Sequence, residues 1–238
     1  MKIVSINIEK DAHLERVIDF VQKENPDVVC MQEVMESTFP HLMSEMGMYG
    51  TFVPFVTLKN WGDGLDGRVM GIATFSREPH TIAGVHYYQG TEGKLSDLEK
   101  GVDICEVHKN IARAVLAVRA GKCVIGTTHF TYTCDGEPDE AQRKSLERML
   151  KLLEPYENLV LCGDFNIPRP NELYEKLKEE FTDNVPSIYH SSLDSKLHRV
   201  PGLERMVDYV WTRGGCEAGE VHFVEGVSDH CAVVTEVG

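Results

Sequence analysis

No run of about 18 apolar residues occurs in this chain, so it offers no segment long enough to cross a bilayer as a helix. Its opening, MKIVSINIEKD, has neither the basic n-region nor the apolar h-region of a secretory signal. The expectation is a soluble, cytoplasmic protein without membrane insertion. CxxC pairs are missing too: Cys30, Cys105, Cys123, Cys134, Cys162, Cys216 and Cys231 are odd in number and scattered, against a zinc ribbon or thioredoxin-type motif. They read as reduced structural residues, with Cys105 and Cys134 nearer to loops than the rest. No GxGxxG follows the first strand and no GxxxxGK[ST] occurs, which disfavours dinucleotide and P-loop folds.

Positive charge is also scarce. Against 38 acidic residues there are 24 Lys and Arg, a net charge of −14 that argues against a general basic surface for duplex phosphates. Only HKNIAR and KLHRVPGLER offer local basic stretches. A few carboxylates around a divalent cation still suffice to bind and polarise a phosphate in an acidic protein.

What is present suits a layered α/β fold. With 238 residues, 42% apolar and 26% charged, the chain has enough core for a single domain over 1–238 and no low-complexity tract. KIVSINI reads as a strand, and Asp11 as the cap of a helix whose Leu14, Val17, Ile18 and Val21 share one face until Asn25-Pro26. DVVCMQE follows as a buried strand ending in Gln32-Glu33. A similar unit runs from KCVIGTTHF through a helix near Pro138, striped by Leu146, Met149, Leu150 and Leu153, to NLVLCGDFN. Further strands are expected at 50–57, 68–77, 81–88, 102–108, 111–120, 205–212, 217–224 and 230–237. The glycine-rich stretches 59–67 and 89–101 read as loops, either plain connectors or borders of a site.

Polar residues at strand ends make the candidate site, because ligands of open α/β sheets collect at carboxyl ends of strands. Asn7, Glu33, His129 and Asp164 hold such positions. Asp164 and Asn166 share a side if strand geometry persists through Gly163-Asp164-Phe165-Asn166, one to orient a water, the other to donate to a phosphoryl oxygen. A turn in which these side chains bond their own backbone is the competing reading. Asp208 interrupts the apolar run MVDYVW and requires a partner, for which a histidine N–H is suitable. Ser228-Asp229-His230 precedes the last strand. Arg113 is compatible with a phosphate contact or a salt bridge, and Asn110 beside it is undecided. Trp61 and Tyr132 lie in loops where they either stack on a substrate or simply pack.

In this order, Asn7, Gln32-Glu33, Thr128-His129, the GDFN stretch, Asp208-Tyr209 and Ser228-Asp229-His230 resemble the endonuclease/exonuclease/phosphatase superfamily, of pancreatic-type deoxyribonuclease fold, over essentially the whole chain. The resemblance implies a four-layer α/β sandwich, two mixed sheets face to face with helices outside. It further implies a metal-dependent phosphoric ester hydrolase, most simply a phosphodiesterase in which a metal-bound water oriented by Asp164 attacks phosphorus in line. Glu33 would bind Mg2+ (or Mn2+) with Asn7 and Asp229. Asn166 would hold a phosphate oxygen, and His230, oriented by Asp208, would contact the phosphate opposite His129. The partner is then a phosphodiester substrate, with no obligate protein partner. A nuclease or DNA-repair activity on nucleic acid is the alternative, and a non-catalytic binding module a further one. Keeping all of these residues together counts against the module.

Overall fold

The computed structural model describes residues 1–62 and 64–238, with the backbone but not the side chain of Glu106. The chain begins β1 (Lys2–Asn7), α1 (Leu14–Glu24), β2 (Val28–Met35), α2 (Phe39–Met46), β3 (Tyr49–Lys59), β4 (Val69–Ser76), β5 (Thr81–Gln89) and β6 (Ser96–Glu99). It continues α3 (Ile104–Val107), β7 (Arg113–Ala120), β8 (Cys123–His129), α4 (Glu140–Leu153), β9 (Leu159–Asp164), α5 (Glu172–Glu180), β10 (Thr182–Asp183), β11 (Asp208–Arg213), β12 (His222–Val224) and β13 (Ala232–Glu236). One sheet has the order β12-β13-β1-β2-β4-β3-β6 and the other β10-β11-β9-β8-β7-β5. Both are mixed: β1 lies parallel to β2, and β8 to β9, within otherwise largely antiparallel sheets.

Strand alternation explains the layers. Ile3, Val28 and Cys30 face the core shared by the two sheets, with Ile125, Cys162 and Val210 from the other side. Val4, Ile6, Val29 and Met31 face outward into a second cluster closed by Val17, Ile18 and Val21 of α1 and Leu42 of α2. Leu146, Met149 and Leu153 of α4 are fully buried beneath the second sheet. The expected four-layer sandwich is thus the observed one. A hydrogen bond of 2.6 Å between the buried hydroxyls of Thr74 and Thr127 ties the sheets together. Among the described residues no helix is long and apolar enough to cross a membrane.

Several local expectations are corrected. Asp11 does not cap α1; His13 holds that position without a side-chain capping bond, while Asp11 pairs with Arg68 and accepts from Thr38. The strand expected at 102–108 is α3 followed by a 3-10 turn, started by Asp103, whose carboxylate accepts from Cys105 N at 2.9 Å. The expected loop 89–101 contains β6, which adds in parallel to β3. The strand expected at 217–224 is formed only at His222–Val224. Four of the cysteines read as reduced are joined, Cys105 to Cys134 and Cys123 to Cys216, with Cα atoms 5.6 and 6.1 Å apart, within the reach of a disulfide.

Candidate active site

The parity that builds the core also builds the site. On β1, Ile3, Ser5 and Asn7 alternate toward the second sheet, so Asn7 emerges between the sheets at the carboxyl end of its strand. His129 and Asp164 end the parallel neighbours β8 and β9 in direct register, and Asp208 opens β11 opposite Asp164. Three adjacent strands therefore deliver three ionisable side chains to one spot. The Asn7 amide donates to Asp164 Oδ2 at 3.2 Å across the sheet interface.

Glu33 reaches the same opening by another route. It does not end β2, as expected, but sits inside it at a bulge, where the register against β4 shifts between Gln32 and Val34. Its φ is 57°, and the facing pattern inverts across it: Cys30 points inward before the bulge, Met35 after it. Without that extra residue, Glu33 would share the outward face of Val29 and Met31.

The GDFN stretch takes the turn reading and does not continue as a strand. Strand geometry stops at Asp164, Asn166 takes φ 51°, and its N–H donates to Asp164 Oδ1 at 2.9 Å, closing an Asx turn. The turn leaves Asp164 Oδ2 facing the site, 3.5 Å from His129 Nε2 and 3.9 Å from His230 Nε2. The Asn166 amide donates to Phe130 O at 3.1 Å, so one of its two N–H groups is committed to the fold.

The partner that Asp208 requires is His230, whose Nδ1 lies 2.7 Å from Asp208 Oδ2. Asp208 Oδ2 also accepts from Ser192 Oγ at 2.6 Å, and Ser192 Oγ in turn accepts the N–H groups of Val207 and Asp208. Ser192 was not singled out in the sequence; it lies in a long loop whose only signal is a run of Ser and His. Asp229 is joined by Ser228, its neighbour, at 3.2 Å.

Arg113 is almost fully buried, and no carboxylate among the described residues lies within ion-pair distance of it, so the salt-bridge reading is not met. Its Nη1 donates to His129 O at 3.2 Å, its guanidinium lies 5.6 Å from the Phe55 ring centre, and Nε has no partner among the described residues. Asn110 stays on the surface. Trp61 borders the opening through Lys10, whose Nζ lies 5.4 Å from its ring centre, whereas the Tyr132 hydroxyl only reaches Cys134 O.

Charge is divided sharply within this small space. Burial opposes a charge on His230, but Asp208, by proximity and hydrogen bond, outweighs it and raises the pKa to about 10. His129 goes the other way, pushed down to about 4 by burial and then by the Arg113 guanidinium. Burial and the neighbouring Asp208 charge raise Asp164, and burial raises Asp229 to about 6. Burial would raise Glu33 as well, yet the Lys10 ammonium holds its carboxyl well below the usual range. At neutral pH one imidazole is thus a cation and the other a neutral acceptor or donor.

The donor set suits a hard divalent cation. Glu33, Asp229, Asn7 and Asp164 supply oxygen, and Asp208 Oδ1 is buried with no partner among the described residues, whereas His230, held as a cation by Asp208, has no free lone pair for a metal.

Solved structures of similar fold share this architecture from end to end. The human Nocturnin catalytic domain with a bound sulfate superposes with a TM-score of 0.69 at 19% identity, covering 100% of this chain and 93% of that one. A mannosyl-6-phosphatase of Bacteroides thetaiotaomicron gives 0.67 at 13%, covering 100% and 99%. A Neisseria 3′ phosphatase bound to its product DNA hairpin gives 0.66 at 17%, again covering 100% and 99%. At these identities the likeness is one of fold. No curated protein matches the sequence. A family-wide pattern does, from residue 4 to residue 230, and with nearly the whole chain matched this protein belongs to the Endonuclease/Exonuclease/phosphatase family.

Proposed function

We propose that the protein is a divalent-metal-dependent phosphoester hydrolase acting on a phosphodiester. The observation that carries this reading is the buried Asp208–His230 pair beside Asp164: a fixed imidazolium and a carboxylate of raised pKa, both turned toward the same gap between the sheets. In that gap Asp164 Oδ2 orients the attacking water and takes its proton as the new P–O bond forms. His230 Nε2–H faces the phosphoryl oxygens, where negative charge grows while the opposite P–O bond breaks. Asn7 holds Asp164 in place, and Asn166 keeps one N–H for a phosphate oxygen. Glu33, with Asn7 and Asp229, would hold Mg2+ or Mn2+, which supplies Lewis-acid polarisation of the phosphate. Neutral His129 contributes a hydrogen bond from the other side without adding charge.

Purified protein with Mg2+ or Mn2+ is tested on bis(p-nitrophenyl) phosphate, p-nitrophenyl phosphate and single- and double-stranded oligonucleotides. Turnover of the diester, stopped by EDTA and lowered at least about a hundredfold in kcat by Asp164→Asn with the fold kept, is the expected result. Cleavage confined to oligonucleotides would move the substrate class to nucleic acid. Failure on every substrate with either metal would remove the enzyme reading and leave a binding module on this fold.

A further inference from the structure

The carboxylate of Glu33 already has a cation on it, and that cation belongs to the chain. Lys10 Nζ lies 2.8 Å from Glu33 Oε2, with the two side chains only 15% and 20% exposed. The backbone is bent to bring it there. Glu9 and Lys10, two and three residues past the end of β1, have φ values of 47° and 63°, a left-handed conformation that two successive non-glycine residues hold only at a cost. On its other side the ammonium rests on the face of Trp61, 5.4 Å from the ring centre, and Trp61 is itself fixed by a 2.8 Å bond from Nε1 to Leu98 O. Neither a helix nor a sheet requires this arrangement. It places a mobile point charge between an aromatic platform and the one carboxylate that the β2 bulge turns inward.

We propose that Lys10 is the resident counter-ion of Glu33 and competes with the divalent cation for it, so that Lys10 sets the metal affinity of the site. The inference rests on the assignment of Glu33 as a metal ligand. An isolated buried carboxylate is unfavourable, so a fold that must keep Glu33 inward without metal needs a replaceable positive charge. A lysine serves because its ammonium sits on a flexible stem and makes no bidentate lock. When a divalent ion takes Glu33, the ammonium withdraws toward Trp61, where the ring face still receives it. The cost of that exchange is subtracted from the binding of the metal.

Mn2+ binding to the full-length, chelator-treated protein is measured by calorimetry for wild type, Lys10→Met, Lys10→Arg and Glu33→Gln, with tryptophan fluorescence followed in parallel. Trp61 is the responsive fluorophore, because the other tryptophan, Trp211, is fully buried in the core. Lys10→Met is expected to bind Mn2+ at least about tenfold more tightly than wild type, Lys10→Arg to stay near wild type, and Glu33→Gln to bind much more weakly. Mn2+ is expected to change Trp61 emission in wild type but not in Lys10→Met. Mn2+ is also expected to raise the melting temperature of Lys10→Met by more than that of wild type, because the unpaired carboxylate weakens the metal-free variant. Lys10→Gln, which keeps a donor for Glu33 without the charge, carries the same affinity expectation if Lys10→Met does not fold. Unchanged or weaker Mn2+ binding in these two variants, with binding lost in Glu33→Gln, would overturn the role of Lys10 and leave the metal site standing. Absence of Mn2+ binding in wild type would remove the Glu33 assignment and this inference together.

Discussion

His230 and Asp208 form a buried pair at 2.7 Å, in which one carboxylate oxygen serves the imidazole and Ser192 while the other has no partner among the described residues. The charge on Asp208 is what keeps His230 protonated against its burial. Asp208→Asn preserves shape and removes that charge. The expected outcome is a fall in kcat of at least about a hundredfold with little change in KM, since a fixed cation matters most where transition-state charge grows. The His230 ring should then titrate far below its wild-type value of about 10, which NMR of the ring protons follows directly. A near-normal kcat would remove the pair from the chemistry.

The paired cysteines set a second test. Cys123 and Cys216 enclose a loop of sequence separation 93, tying the start of β8 to the turn after β11, and Cys105–Cys134 ties α3 to the loop beyond β8. Thiol titration of the denatured, unreduced protein should find the three remaining cysteines, Cys30, Cys162 and Cys231, and seven after reduction. Cys123→Ser should cost about 2–5 kcal/mol in unfolding free energy without reductant and much less with it. Disulfides persist in oxidising compartments, so this pairing stands against the cytoplasmic expectation, and a count of seven without reductant would favour the latter.

Most of the candidate site was legible because strands announce their ends. An apolar run that stops on a polar residue marks Asn7, His129 and Asp164, and an aspartate inside MVDYVW demands a partner in any fold. Glu33 was found for the wrong reason: a bulge has no composition of its own, so the residue was read as the end of β2 rather than an irregularity within it. Lys10 and Ser192 were illegible because each matters only through a partner distant in sequence, Glu33 and Asp208. The helices α2 and α5 went unread for a similar reason. They are short and bury one and two side chains respectively, Leu42 in α2 and Leu173 and Leu177 in α5, so the apolar stripe is too thin to stand out.

Gly163 is expected to be the least replaceable residue of the GDFN stretch. Its φ is 145°, and a Cβ added there would collide with the backbone carbonyl oxygen of Thr128, its partner on β8. A backbone neighbour in the middle of a sheet cannot yield as a side chain tip can. Gly163→Ala should therefore destabilise the protein by more than about 3 kcal/mol in urea unfolding, or prevent folding, even though the added group is a single methyl. Gly47→Ala is the control: φ is also positive, at 63°, but nothing lies within 4 Å of the added atom, so the cost should stay at about 1 kcal/mol.

His80 gives the pH dependence a defined local source. The Ser76 hydroxyl donates to Glu78 O at 2.6 Å, so it accepts from His80 Nδ1, also at 2.6 Å, and the ring proton belongs on Nδ1. Nε2 is then the acceptor for the Thr51 hydroxyl at 2.8 Å. A second proton on the ring would force Thr51 to turn, and burial opposes the charge in any case, lowering the pKa below 6.5. The unfolded chain consequently takes up this proton first as pH falls. In that window it binds more protons than the native state, so His80 contributes stability that is complete above pH 6.5 and is lost as pH drops through the lower, native pKa. Urea unfolding of wild type and His80→Gln at a series of pH values on either side of 6.5 isolates this contribution from the other histidines. The wild type should lose more stability on acidification than the variant; equal slopes would mean that Thr51 and Ser76 accommodate the charged ring without cost.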